Sequence, residues 1–183
     1  MRLFIASSFE PRFAANLMDI RDYARSNSGR DAVKWAEDGQ FHITYAFLGE
    51  LPAAREAVKS LDEALEGFSA FKVVSGGLGA FPSSRNPKVL WLSIGEGAEI
   101  LRELNGKLAA ALTANGIFFE NRFEPHVTLG RVKRPLQENF FRRAADYVSG
   151  KRTASAIASV ELMQSVLTPG GAKHSVVYSK RLL

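Results

Sequence analysis

Segments with helical and extended periodicity alternate along this chain of 183 residues, and the alternation predicts an α/β or α+β fold. Two observations carry that expectation. Stretches with apolar residues at helical spacing are separated by short apolar runs of strand length, each bounded by Gly, Pro, Asn or Ser. In addition, one short segment occurs twice. FHITY at residues 41–45 is echoed by PHVTL at residues 125–129, so that His42 and His126 stand 84 residues apart, close to half the chain. That spacing points to two similar lobes, each presenting one copy.

The elements follow in order. Residues 2–8 (RLFIASS) read as a buried strand. Pro11 stands near the start of a helix to about residue 26, with Phe13, Leu17, Ile20, Tyr23 and Ala24 at helical spacing, and Asn27, Ser28 and Gly29 break it. A short strand around residues 32–36 leads to a second one over 41–49. Pro52 opens a helix to about residue 66, with Val58, Leu61 and Leu65 along one face. Residues 71–74 and 89–94 read as strands, and the Gly-, Ser- and Pro-rich residues 76–87 as the loop between them. A long amphipathic helix spans about 98–114 and ends at Asn115 and Gly116. A strand over 126–132, a helix from Pro135 to about 148, and strands over 157–167 and 175–182 complete the chain. Residues 168–171 (TPGG) form the turn between the last two.

Composition narrows the function. With 46% hydrophobic and 23% charged residues the chain is neither disordered nor fibrous. It has no cysteine, which excludes disulfides, thiolate metal sites and cysteine nucleophiles. The first residues, MRLFIASSFEPRF, lack the charged start, long apolar core and cleavage site of a signal peptide, so a cytoplasmic protein without membrane attachment is expected. The net charge of +5 favours polyanions, RNA among them, although a merely basic surface has the same charge.

The repeated segment carries the chemistry. Residues two apart on a strand share a face, so each His-x-Thr sets an imidazole beside a hydroxyl, while Ile43 and Val127 point into a core. If the lobes face each other, two His and two Thr converge on one cleft. One imidazole can then accept a proton while the other donates one, and the hydroxyls can bind the non-bridging oxygens of a phosphodiester. From ordinary imidazole values a bell-shaped pH profile peaking around neutrality is expected. No Asp, Glu or Cys sits at ligand spacing beside either histidine, so no metal or other cofactor is expected. A structural role for a lone histidine is the usual alternative. Here two of three histidines are followed at the second position by one of only five threonines, a coincidence of a few per thousand by roughly random placement.

FHITYAFLGEL and EPHVTLGRVK resemble the two signature segments of the two-histidine (2H) phosphoesterase superfamily. The flanking RLFIAS, FPSSRNPKVLWLSI and SVLTPGGAKHSVVYSKRL resemble its branch of RNA 2′,3′-cyclic phosphodiesterases, also called 2′-5′ RNA ligase-like. The resemblance implies a single bilobal α+β domain over residues 1–183. Two antiparallel β-sheets would form a central cleft, with helices packed outside and lobes related by a pseudo-two-fold. It implies hydrolysis of 2′,3′-cyclic phosphate ends of RNA or oligonucleotides, or of cyclic nucleotides, to 2′-phosphomonoesters; a monomer is expected, although the sequence does not encode the oligomeric state. His42 would be the proton donor and His126 the proton acceptor, with Thr44, Thr128 and Arg131 binding phosphate. Arg131 lies five residues from His126 and faces away in a regular strand; a bulge near Gly130 would turn it back. His174 stands where relatives often carry an aromatic, and either lines the cleft or decorates the surface of the last hairpin. Phe47, Phe81 and Trp91 stack on a base or pack in the core, and Arg30, Lys34, Arg85 and Lys88 steer RNA or are simply solvated. Two other readings stand beside hydrolysis: 2′-5′ RNA ligation at the same site, and an RNA-binding module without turnover.

Overall fold

The computed structural model describes residues 1–169 and 171–183. β1 (Arg2–Ser8) is followed by α1 (Pro11–Ser28), β2 (Val33–Trp35), β3 (His42–Glu50), α2 (Arg55–Ala64), β4 (Phe71–Pro82) and β5 (Pro87–Ile94). Then come α3 (Ala98–Ala114), β6 (His126–Val132), α4 (Phe140–Ser149), β7 (Ala154–Ile157), β8 (Ser159–Thr168) and β9 (Gly171–Arg181). The strands form a four-stranded sheet of order β3-β1-β8-β9 and a five-stranded sheet of order β2-β6-β5-β4-β7, with every pair antiparallel.

Each sheet carries a pair of helices. α2 and α3 pack together and touch β3, β8 and β9, whereas α1 and α4 pack together against β2, β4 and β7. The α3 stripe of Leu101, Leu104, Leu108 and Leu112 is wholly buried. Burying such a side chain stabilises the fold by about 1.5–3 kcal/mol. The core residues Leu3, Ile5, Ile43, Val127 and Leu129 are likewise sealed from solvent, so both histidine strands have one face in the interior.

Several boundaries differ from the sequence reading. The residues expected as a loop at 76–87 mostly belong to a hairpin, with β4 running on to Pro82 and β5 starting at Pro87. The glycines there answer close approaches rather than turns. A Cβ on Gly79 would sit inside the Trp91 ring, and one on Gly76 would collide with the Ser93 side chain. A strand glycine that lets another group come close is as common a device as a turn glycine.

Pro52 and Pro135 lie before helices rather than at their first residues. α2 begins at Arg55, and α4 begins at Phe140 after Asn139 takes a left-handed conformation (φ 61). The strand expected over 157–167 is β8 apart from its first residues; Ile157 instead ends a further short strand, β7, in the five-stranded sheet, and the chain changes sheets at Ala158. The turn expected at 168–171 includes Gly170, outside the described residues.

Candidate active site

The two sheets meet along β3 and β6, and the cleft between them has a volume of about 500 Å³. His42 and Thr44 reach it from β3, His126 and Thr128 from β6. The parity of each strand does this, since Ile43 and Val127 between them are fully buried. Of the residues named from the sequence, His42, Thr44, Phe47, His126, Thr128, Arg131 and His174 line this cleft, as does Lys34.

Arg131 is there because β6 is bulged. Opposite β5, Trp91 pairs with Thr128 and Leu90 with Gly130, leaving Leu129 as the extra residue. The extra residue reverses the parity beyond it, so Arg131, opposite Val89, shares a face with Thr128 and His126. β3 does the same against β1. Ala6 pairs with Thr44 and Ile5 with Ala46, so Tyr45 is extra and Phe47 turns to the cleft opposite Phe4. In both strands the bulge falls three residues after the histidine and the residue two further on lines the site.

The bulged residues' carbonyls are not left bare. Asn105 of α3 donates its side-chain N–H to the carbonyl of Tyr45 at 2.9 Å, and the Ala36 N–H donates to that of Leu129 at 2.9 Å. Gly130 is a spatial necessity, since a Cβ there would lie 2.6 Å from Val33 Cγ1 and 3.0 Å from the Lys34 carbonyl. That close approach of β2 brings Lys34 into register with Arg131, and Lys34 also lines the cleft.

The carbonyl two residues upstream orients His126, whose Nδ1 lies 2.6 Å from the Glu124 carbonyl. At His42 the Gln40 backbone acts in the same sense, favouring the charged ring against burial. A carbonyl can only accept, so the neutral His126 carries its proton on Nδ1 and keeps Nε2 free to accept one. Burial is the largest cause lowering His42, to about 4, with the charges of His174 and His126 adding to it. Burial also lowers His126, against the Glu124 carbonyl and carboxylate, and lowers His174.

Aromatic rings hold both histidines. Phe4 lies 5.3 Å from His42 and 4.9 Å from His174, whose ring is 5.8 Å from that of His42. His174 is therefore part of the cleft wall and not a hairpin-surface residue. On the other side Phe81 meets His126 edge-on at 5.2 Å, with Trp91 at 6.1 Å. These two rings back the histidine rather than line the cavity.

Arg30, Arg85 and Lys88 lie outside the cleft. Arg2, Gln40 and Ser165 line it and were not picked out from the sequence. Arg2 shares strand parity with Phe4, which also lines the cleft, but the sequence assigns no face to β1; Ser165 enters through its pairing with His174 across β8 and β9, which no local pattern reveals. Among the described residues no three His, Cys, Asp or Glu side chains gather as a metal-ligand set, and no helix is long and apolar enough to cross a membrane.

Residues 9–164 match the family model of the 2′-5′ RNA ligase superfamily. The chain is 36% identical over 153 residues to an RNA 2′,3′-cyclic phosphodiesterase of Aeropyrum pernix, covering 80% of this chain and 84% of that one. It is 33% identical over 178 residues to a protein of the same name from Archaeoglobus fulgidus, covering 93% and 94%. In fold it is similar to a solved structure from Thermus thermophilus, with a TM-score of 0.81 at 24% identity over 100% of this chain and 98% of the other. It is also similar to E. coli LigT complexed with 3′-AMP, with a TM-score of 0.73 at 24% identity over 99% and 97%. The chain belongs to the 2′-5′ RNA ligase superfamily of two-histidine phosphoesterases.

Proposed function

We propose that this protein is an RNA 2′,3′-cyclic phosphodiesterase, a hydrolase that opens 2′,3′-cyclic phosphate ends of RNA, oligonucleotides or cyclic nucleotides to 2′-phosphomonoesters. The observation that carries the reading is the convergence of two His-x-Thr pairs from different sheets on one cleft. The names of the relatives support hydrolysis rather than ligation or bare binding.

In the reaction, water attacks phosphorus and the bond from phosphorus to the 3′ oxygen breaks. His126 Nε2 takes the proton that water loses, and His42, protonated, gives one to the departing 3′ oxygen. Each proton transfer contributes roughly 10²–10⁴ in rate. Thr44 and Thr128 donate their hydroxyls to the non-bridging oxygens, and Arg131 adds a charge-assisted contact as negative charge grows there. Phe47, at the cleft mouth, and His174, beside His42, flank the nucleoside. The whole chain acts as one bilobal catalytic domain, each sheet supplying one motif, in a monomeric cytoplasmic protein.

The test is incubation with 2′,3′-cyclic AMP in excess EDTA, with the product isomer read by phosphorus NMR. Conversion to 2′-AMP undiminished by the chelator is expected, because the site's own groups handle protons and charge. Exclusive formation of 3′-AMP, or activity abolished by EDTA and restored by a divalent ion, would overturn the reading.

A further inference from the structure

A second groove, with a volume of about 490 Å³, lies where the β4–β5 turn faces the segment between β6 and α4. It is lined by Arg85, Lys88, Lys133 and Arg134 over a floor that includes Leu136 and Phe141, with no carboxylate in its lining. All four cations are exposed, and among the described residues none is ion-paired with an Asp or Glu. Lys133 lines both this groove and the catalytic cleft. The end of β6 is thus a basic path: Arg131 in the cleft, Lys133 on the rim, Arg134 in the groove.

Four like charges in one concavity repel one another and are not offset by neighbouring acids, so they weaken the fold slightly and attract an extended anion. A cyclic mononucleotide has a single phosphate, which the cleft already accommodates. A strand has more, and they must leave the cleft over its rim. We propose that this groove binds the single-stranded RNA leading up to the cyclic end, gripping its backbone phosphates and setting a preference for oligonucleotides over mononucleotides. The proposal rests on the phosphodiesterase reading for its substrate. Phe141, half-buried in the floor, offers a surface for a base.

The experiment compares wild type with Arg85→Glu/Lys88→Glu/Arg134→Glu on 2′,3′-cyclic AMP and on a hexanucleotide ending in a 2′,3′-cyclic phosphate. None of the three residues belongs to the catalytic cleft. At about 0.1 M salt the variant should lose roughly 10- to 100-fold in kcat/KM on the hexanucleotide. It should stay within about twofold on the mononucleotide, where single-phosphate steering is weak and screened. The slope of log kcat/KM against log salt should become shallower by about two for the hexanucleotide only. The triple Gln variant repeats the measurement should the Glu variant fold poorly. Equal losses on both substrates in a folded variant, or no loss on either, would overturn the groove.

Binding separates this from failure of the catalytic reading. Anisotropy of a labelled hexanucleotide ending in a 2′-phosphate is measured on His42→Ala/His126→Ala, which does not turn over. Affinity lost with the groove charges supports the groove whatever the chemistry; affinity indifferent to them sinks it.

Discussion

Burial holds the His42 imidazole neutral down to about 4, with the charges of His174 and His126 adding to the effect. His126 is lowered by burial too; a backbone carbonyl opposes burial at both rings, but only His126 also has a carboxylate, Glu124, pulling the other way. His42, the proposed acid, is therefore the lower of the pair, and the competent form, charged His42 with neutral His126, is a minor one in the free enzyme. The neutral optimum expected from reference imidazole values moves accordingly. Because kcat/KM reads the free enzyme, it should be greatest on the acid side of neutrality, with an acidic limb near 4. Bound phosphate adds a negative charge beside both rings and raises them, so kcat should peak at higher pH than kcat/KM. Replacing His126 by Ala leaves only the protonation of His42 to be read. The surviving alkaline limb should then drop to that of His42, which burial still holds low, well below its wild-type position. With the acid as the higher of the two, that limb would not move. Each single replacement should cost roughly 10²–10⁴, and the double little more, since the groups act as a unit. A wild-type kcat/KM maximum above pH 7, measured on the cyclic mononucleotide, would refute this ordering.

On the strands the two halves of the site obey one rule, and only part of it is visible in the sequence. Parity sets His42 with Thr44, and His126 with Thr128, and the structure agrees. The same parity would send Phe47 and Arg131 away from the cleft. What turns them in is an extra residue in each strand, at Tyr45 and Leu129, and a bulge depends on cross-strand register that a single segment does not encode. Gly130 hinted at one of the two, whereas nothing near Tyr45 did. The matching burial of residues 42–47 and 126–131, alternating and then two buried residues before an exposed one, makes the correspondence plain once the strands are paired. A bulge persists only while its freed carbonyl has a partner. Asn105, almost fully buried, serves Tyr45 in this way. Asn105→Ala should cost about 1–3 kcal/mol in urea denaturation, the usual penalty of a buried acceptor left unpaired. It should also lower kcat/KM by releasing Phe47 and the strand that carries His42. A variant within about 0.5 kcal/mol of wild type and fully active would mean that the bulge holds itself.

Across the molecule the alternation of helices and strands was legible, but the way the chain shares itself between sheets was not. The sequence repeat divides the chain near its middle, whereas the four-stranded sheet takes β1 and β3 from one end and β8 and β9 from the other. Such interleaving is set by which apolar faces can be covered together, a property of the whole core. The price of placing titratable groups between two sheets is also global. In the unfolded chain the imidazoles take protons near 6.5, whereas in the folded protein burial lowers all three, His42 to about 4. Between those values the unfolded state binds more protons, so stability is fully present above 6.5 and is lost as the pH falls towards 4. For His42 alone the loss is at most about 3 kcal/mol, and water at the cleft mouth reduces it to roughly 1–2 kcal/mol. Asp19 and Asp62, lowered first by hydrogen bonds from Lys151 and Tyr178 respectively, lose most of their contribution below their ordinary value of 3.8, so their window barely overlaps that of His42. Urea midpoints at pH 8, 6.5 and 4.5 should therefore fall steeply over the last interval and little over the first. In His42→Asn, which keeps a polar side chain but cannot titrate, the fall from 6.5 to 4.5 should be smaller by roughly that 1–2 kcal/mol. An identical decline in both proteins would show that His42 takes its proton as readily in the folded cleft as in water, and the acid-side optimum argued from its burial would fall with it.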